Sequence, residues 1–204
     1  MPIAPNPGRP STPFSIPFAC TSNRLFNPHR YRRLYPAHGF SPFLQPSLAD
    51  GYPTTQDFEV TDRTDCRGAG LRAVGPFDRE QLMARVSGRV VSARLLHTLQ
   101  ISAAAHLFDP YFTGLLLHSC DPHVRLDMGA FEMWALRPIQ AGELLTMDYA
   151  TTEDVLTRQF ECQCGAPSCR FWVTGAKELP NAQGQLTLTT AEYLKNTRIA
   201  PKGR

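Results

Sequence analysis

The chain has 204 residues, 42% hydrophobic and 19% charged, with 18 prolines and six cysteines. That length is enough for one domain with a real core, no apolar run approaches the roughly 20 residues of a membrane helix, and the N-terminus lacks the apolar stretch of a secretory signal. Six cysteines are too sparse for a disulfide scaffold, which points to a reducing, intracellular compartment. The net charge of +3 comes from the leader: up to Gln56, five arginines (9, 24, 30, 32, 33) face one acid, Asp50, whereas from Asp57 onward there are 16 basic and 17 acidic residues. So balanced a body argues against the clustered Lys and Arg face that nucleic acid would want, so direct nucleic-acid binding is not expected.

Residues 1–56 are dense in Pro, Ser, Asn and Phe. Proline at that frequency removes backbone donors and breaks helix and sheet patterns alike, so this is read as a largely irregular basic tail. An organelle-targeting or docking role also fits its acid-poor character. From Phe58 the texture becomes β-like. "ARVSGRVV" and "HTLQIS" are short, rich in branched residues and bounded by turn formers. In "AFEMWAL", Phe131, Met133 and Ala135 alternate with Glu132 and Trp134, and a turn at "RPIQAG" is expected to fold the chain back into "ELLTMDY" as a hairpin. Helix signals are few: "TTEDVLTRQ" with a Thr cap, and "TAEYLKN" with Thr189 and Glu192 spaced as a capping box. The body is predicted to be mainly β, built from small sheets.

Three stretches carry candidate chemistry. In "FECQCGAPSCR", Cys162, Cys164 and Cys169 lie within eight residues, with Gly165 and Pro167 shaping a knuckle. Thiols so close together in a reducing compartment usually share a soft cation, tetrahedral Zn²⁺ above all, and three ligands need a fourth from elsewhere. "GLLLHSCDPHV" ends an apolar run with His118, Ser119, Cys120 and Asp121. On the residues alone a cysteine–histidine nucleophile, a metal site and core packing all fit there. Gly68 and Gly70 in "CRGAGLRA" permit close approach of main-chain N–H groups to a ligand, but the segment lacks the third glycine of a dinucleotide fingerprint. Tyr149 ends the apolar run "GELLTMDY" and stands at the edge of the core. His97 and His106 are read as ordinary packing residues.

Taken in order, "RGAGLRA", "HSCDPHV", "ALRPIQAGELLTMDY" and "FECQCGAPSCR" resemble the successive motifs of the SET-domain family with its post-SET cysteine knuckle. The resemblance runs from about Phe58 to Lys177, without the cysteine-rich pre-SET module. It implies a SET domain over 57–158, a post-SET zinc segment over 159–177 and a C-terminal extension over 178–204 with a short helix. The implied fold is several small curved sheets with a knot-like C-terminal threading. The implied activity is S-adenosylmethionine-dependent methylation of a lysine amine on a protein substrate, in the cytoplasm or nucleus and away from membranes. Cys120 becomes the fourth zinc thiolate beside Cys162, Cys164 and Cys169. Gly68, Ala69, Gly70 and Leu71 correspond to the loop receiving the methionine end of the cofactor. Leu117 and His118 fall in its binding segment, Phe171 and Trp172 fall where an aromatic packs on adenine, and Tyr149 lines the methyl-transfer channel.

The sequence departs from the family where Leu117 and His123 replace asparagines. The insert between "GAGL" and "HSC" is also short, leaving Tyr111 or Phe112 to reach the channel. Two other functions follow from these departures. Leu117 favours a module that has lost catalysis and serves as a scaffold, and the short insert favours methylation of a small-molecule amine.

Overall fold

The computed structural model describes residues 52–62 and 69–197. The described chain is almost entirely short strands in small sheets. A hairpin of β1 (Phe58–Asp62) and β2 (Ala69–Ala73) is followed by β3 (Leu82–Arg85), β4 (Arg89–Val91), β5 (Thr98–Ser102) and β6 (Ala105–Phe108). Next come β7 (Leu117–His118), β8 (Val124–Asp127), β9 (Glu132–Ala135) and β10 (Thr146–Met147), and then β11 (Phe160–Glu161) and β12 (Trp172–Val173). Two three-stranded sheets run in the orders β3-β9-β8 and β4-β6-β5, and β11 pairs antiparallel with β12. β7 and β10 pair in parallel, Thr146 beside Leu117 and Met147 beside His118. One α-helix, α1 (Ala182–Thr197), closes the described chain. Among the described residues no helix is long and apolar enough to cross a membrane.

The core follows the pleat. Alternate residues of β9, Met133 and Ala135, are buried while Glu132 and Trp134 are half-buried, as the alternation in "AFEMWAL" predicts. Phe58 stacks on Phe77 at 5.5 Å and meets Phe112 edge-on at 4.9 Å. Phe112 is therefore core and is not free to reach a channel. Asp109 caps the turn behind it: its carboxylate accepts from the amides of Tyr111, Phe112 and Thr113 and from the Thr113 hydroxyl. A second, smaller cluster gathers Leu156, Cys162 and Val173, with Cys120, Tyr149 and Phe160 against it.

Three expectations about the elements are corrected. "AFEMWAL" does not return into "ELLTMDY" as a hairpin, because both edges of β9 are already taken by β3 and β8. Instead the connecting Ile139 bridges Phe77, Leu145 donates its amide to Leu71, and the strand end reaches β7. "TTEDVLTRQ" forms no α-helix. Only a 3₁₀ turn, Tyr149–Thr151, is made, and the acids after it serve as tertiary acceptors. Glu153, buried at 7% exposure, accepts from the Gln100 amide, and Asp154 accepts from the Gln100 side chain and from Lys177. Finally, α1 starts seven residues before Thr189, capped by Asn181, whose side chain accepts from the Gly184 amide at 2.9 Å. The hydroxyls of Thr189 and Thr190 donate back to the carbonyls of Gln185 and Leu186, and they cap nothing.

Candidate functional site

Two cysteine-bearing segments meet where β7 runs beside β10. Cys120 follows β7; Cys162 follows β11; Cys164 and Cys169 lie on the loop between β11 and β12. Their four sulfurs lie within 4.8 Å of one another, and Cys120 and Cys162 are 3.7 Å apart. A tetrahedron of metal–sulfur bonds about 2.3 Å long has edges of about 3.8 Å, so the spacing fits a single tetrahedral cation. Gly165, in the left-handed region at φ 73°, turns the loop between Cys164 and Cys169, and Phe171 at φ 63° turns it back. This aims main-chain donors at sulfur: Arg170 N–H at Cys120 Sγ, 3.3 Å, and Phe171 N–H at Cys169 Sγ, 3.4 Å. Burial pushes the Cys162 thiol up and does the same to Cys169. Burial also opposes ionisation of Cys164, but amide donors and the neighbouring thiols outweigh it and bring it to about 6. Cys164 therefore gives up its proton easily, whereas Cys162 and Cys169 need a cation to displace theirs.

His118 stands between that cluster and Tyr149. Its Nε2 lies 3.5 Å from Cys120 Sγ, and the Tyr149 amide donates to its Nδ1 at 3.4 Å. An amide can only donate, so Nδ1 carries the lone pair and Nε2 carries the proton directed at sulfur. Burial is the main cause holding the imidazole neutral, with a pKa of about 4, although the Asp148 carboxylate 3.8 Å away pulls the other way. Tyr149 packs edge-on against His118 at 5.3 Å and Phe160 at 6.0 Å. Its hydroxyl donates to the Leu116 carbonyl at 2.8 Å, and burial pushes its pKa well above the usual phenol value. It therefore stays protonated and keeps its oxygen lone pairs available as an acceptor.

Of the other residues singled out from sequence, Gly68 lies outside the described residues. Ala69 and Leu71 turn their side chains into the core, leaving only backbone for a ligand. Gly70 faces Leu117: a Cβ there would meet Leu117 Cδ1 at 3.3 Å and Leu144 Cδ1 at 3.0 Å. Leu117 thus rests on Gly70 of β2. Trp172 is 5% exposed, beneath the first turn of α1, with its indole N–H donated to Gln159 Oε1 at 2.9 Å. The Asn181 amide shares that acceptor, and a Cβ on Gly184 would come within 2.3 Å of Trp172 Nε1. Phe171 is half-buried. His123 bridges the Thr146 hydroxyl, 2.9 Å, and Arg137, 3.0 Å.

Sequence reasoning missed Asp148 and Arg170. The Arg170 guanidinium hydrogen-bonds Asp148 Oδ1, and the same carboxylate oxygen accepts from the Ala150 amide at 3.1 Å. The pair ties the cysteine loop to the turn carrying Tyr149. The only signal for it was an acid just before the tyrosine and a base just after the last cysteine. It also missed Glu178, whose carboxylate receives the amides of Leu156 and Gly175 at 2.9 and 2.7 Å.

No family model matches the chain. Over 64 residues it is 34% identical to "Methyltransferase flvH" of Aspergillus flavus, a match over 30% of this chain and 36% of that protein, so the chain covers little more than a third of that relative. Solved structures that superpose on it include KRYPTONITE in complex with mCHG DNA and SAH, with a TM-score of 0.47, 21% identity and coverage of 56% of this chain and 28% of that one. The methyltransferase domain of human histone-lysine N-methyltransferase SETMAR superposes with a TM-score of 0.44 and 19% identity over 58% of each chain.

Proposed function

We propose that this chain is a SET-domain methyltransferase that moves the methyl group of S-adenosylmethionine to a lysine amine of a protein. The observation that carries the reading is the junction of β7 and β10. It brings "HSC", "TMDY" and the cysteine knuckle to one place, with the Tyr149 hydroxyl fixed on the Leu116 carbonyl. The matched relative is itself named a methyltransferase.

When bound, S-adenosylmethionine supplies an electrophilic methyl on a sulfonium. The amine must arrive neutral and in line, and a channel that strips water from it favours the free base. Tyr149 orients that amine: its proton is held by Leu116, so its oxygen accepts an amine N–H, and its raised pKa bars it from acting as the base. The main chain at Gly68, Ala69, Gly70 and Leu71 takes the methionine end, and the backbone of His118, in the segment with Leu117, helps hold the adenine. Of the two aromatics assigned to adenine, Phe171 has the accessible surface and Trp172 supports it from beneath α1. Four thiolates at Cys120, Cys162, Cys164 and Cys169 would close a structural Zn²⁺ site, leaving no open position for substrate.

Leu117 on Gly70 is the observation behind a second function, a module that keeps the fold and has lost turnover. Calorimetric titration of zinc-loaded protein with S-adenosylmethionine and S-adenosylhomocysteine separates the two. Single-site binding, followed by transfer of labelled methyl to protein lysine, supports the enzyme; no binding of either compound overturns it. Tyr149→Phe should leave cofactor binding intact and cut turnover by about 10²-fold, the scale of losing one oriented donor or acceptor. Unchanged turnover would remove Tyr149 from the reaction, and transfer to free amines alone would replace the protein substrate with a metabolite.

A further inference from the structure

The cysteine cluster and the Tyr149 backbone are joined by contacts that bypass the hydrophobic core. On one side His118 spends both ring nitrogens: Nε2–H on Cys120 Sγ, Nδ1 on the Tyr149 amide. On the other, Arg170 gives its amide to Cys120 Sγ and its guanidinium to Asp148, whose side chain caps the turn Tyr149–Thr151. Packing alone does not ask for a histidine at this point. The ring sits edge-on to Tyr149 and Phe160, an aromatic box that phenylalanine would fill equally well. A buried imidazole is tolerated only with its nitrogens satisfied, and here each partner belongs to a different structure.

We propose that the His118 imidazole and the Arg170–Asp148 pair are positioning groups that couple the thiol cluster to Tyr149, so that a divalent cation on the four sulfurs fixes where Tyr149 stands. A cation bound by the four sulfurs fixes Cys120 Sγ in space, and with it the two donors aimed at that atom, the His118 Nε2–H and the Arg170 amide. Fixing that sulfur holds Tyr149 at two points, its amide through His118 and its cap through Arg170 and Asp148. The inference rests on the cation and tyrosine assignments made above, but its test does not use methyl transfer.

The test is hydrogen exchange at the Tyr149 amide in the full chain, without and with stoichiometric Zn²⁺. The native protein should show zinc slowing that exchange about tenfold, the scale of one added net hydrogen bond. His118→Phe, which keeps the ring, and Arg170→Met, at a partly exposed side chain, should each lose most of the slowing. With Co²⁺ as the probe, His118→Phe should also move the thiolate charge-transfer band to lower energy, and His118→Gln, which restores an N–H, should return it. Equal slowing in the native chain and both variants would overturn the coupling, as would no slowing in the native chain. A native chain with no cobalt band would remove the cation and the coupling with it. Absent methyl transfer in a chain whose exchange behaves as stated would overturn the enzymatic reading and leave the coupling standing.

Discussion

Gly184→Ala sets two opposed effects against each other. In an open helix the substitution is favourable, by up to about 1 kcal/mol from propensity. Gly184 is not in the open: a Cβ there would lie 2.3 Å from Trp172 Nε1 and 2.6 Å from Cδ1 and Cε2. Ordinary carbon contacts begin at about 3.5 Å, so the helix or the indole must move by about 1 Å. The indole is pinned by Gln159, which also receives the Asn181 amide, so the shift breaks a shared hydrogen bond as well as a packed face. Overpacking costs about 1–3 kcal/mol and the lost bond about 1 kcal/mol. We expect a net destabilisation of about 2 kcal/mol, read as a lower urea midpoint at unchanged slope, with Trp172 emission shifted to the red. Gln185→Ala, one residue on and exposed, should change the midpoint by less than about 0.5 kcal/mol. A Gly184→Ala chain more stable than the parent would refute the claim that α1 is seated on the indole.

Three further outcomes follow. Metal analysis should find about one zinc per chain in the parent and none in Cys120→Ser; full zinc in the variant would put the fourth ligand elsewhere. Leu117→Asn should tighten S-adenosylmethionine binding about tenfold, one hydrogen bond to a charged group being worth about 1.5 kcal/mol, and an unchanged or weaker Kd would mean the pocket is not built around this position. Burial holds His118 down to about 4 and, with Arg137 beside it, lowers His123 as well. The unfolded chain takes up these protons near pH 6.5, so the stability they confer is complete above that value and drains away as pH falls toward 4. The urea midpoint of chelator-treated protein should therefore drop between about pH 7 and about pH 5, and a flat midpoint would show that these rings are not buried neutral.

Local chemistry was legible in the residues where the signal is local. The alternation through Met133 and Ala135 gave the buried face of β9, and three thiols within eight residues announced a knuckle. The partners of these pieces were not legible. Nothing in "ELLTMDY" says that its neighbour is β7, since that choice was made by β3 and β8 filling both edges of β9. "TTEDVLTRQ" has helical composition, but Glu153 and Asp154 are worth more as acceptors for Gln100 than on a solvated helix face. The start of α1 was hidden by a glycine that reads as a breaker and serves as a seat for Trp172. Cys120 as the fourth sulfur came from resemblance to a family, because sequence distance carries no geometry.

That distance has a kinetic consequence. Cys162 and Cys169 are seven residues apart, whereas Cys120 and Cys162 are 42 apart. In a chain without structure, closing the longer loop costs about 1.6 kcal/mol more than closing the shorter. A cation met early would therefore land on the three near thiols of the proposed site and fill its last position with water or a stray ligand. Cys120 can displace that ligand only after β7 has docked beside β10, a parallel pairing between distant segments and so a late event in folding. In the proposed zinc site, completion of the four-sulfur shell would mark the end of assembly, and a half-folded chain would give itself away by a metal site one sulfur short.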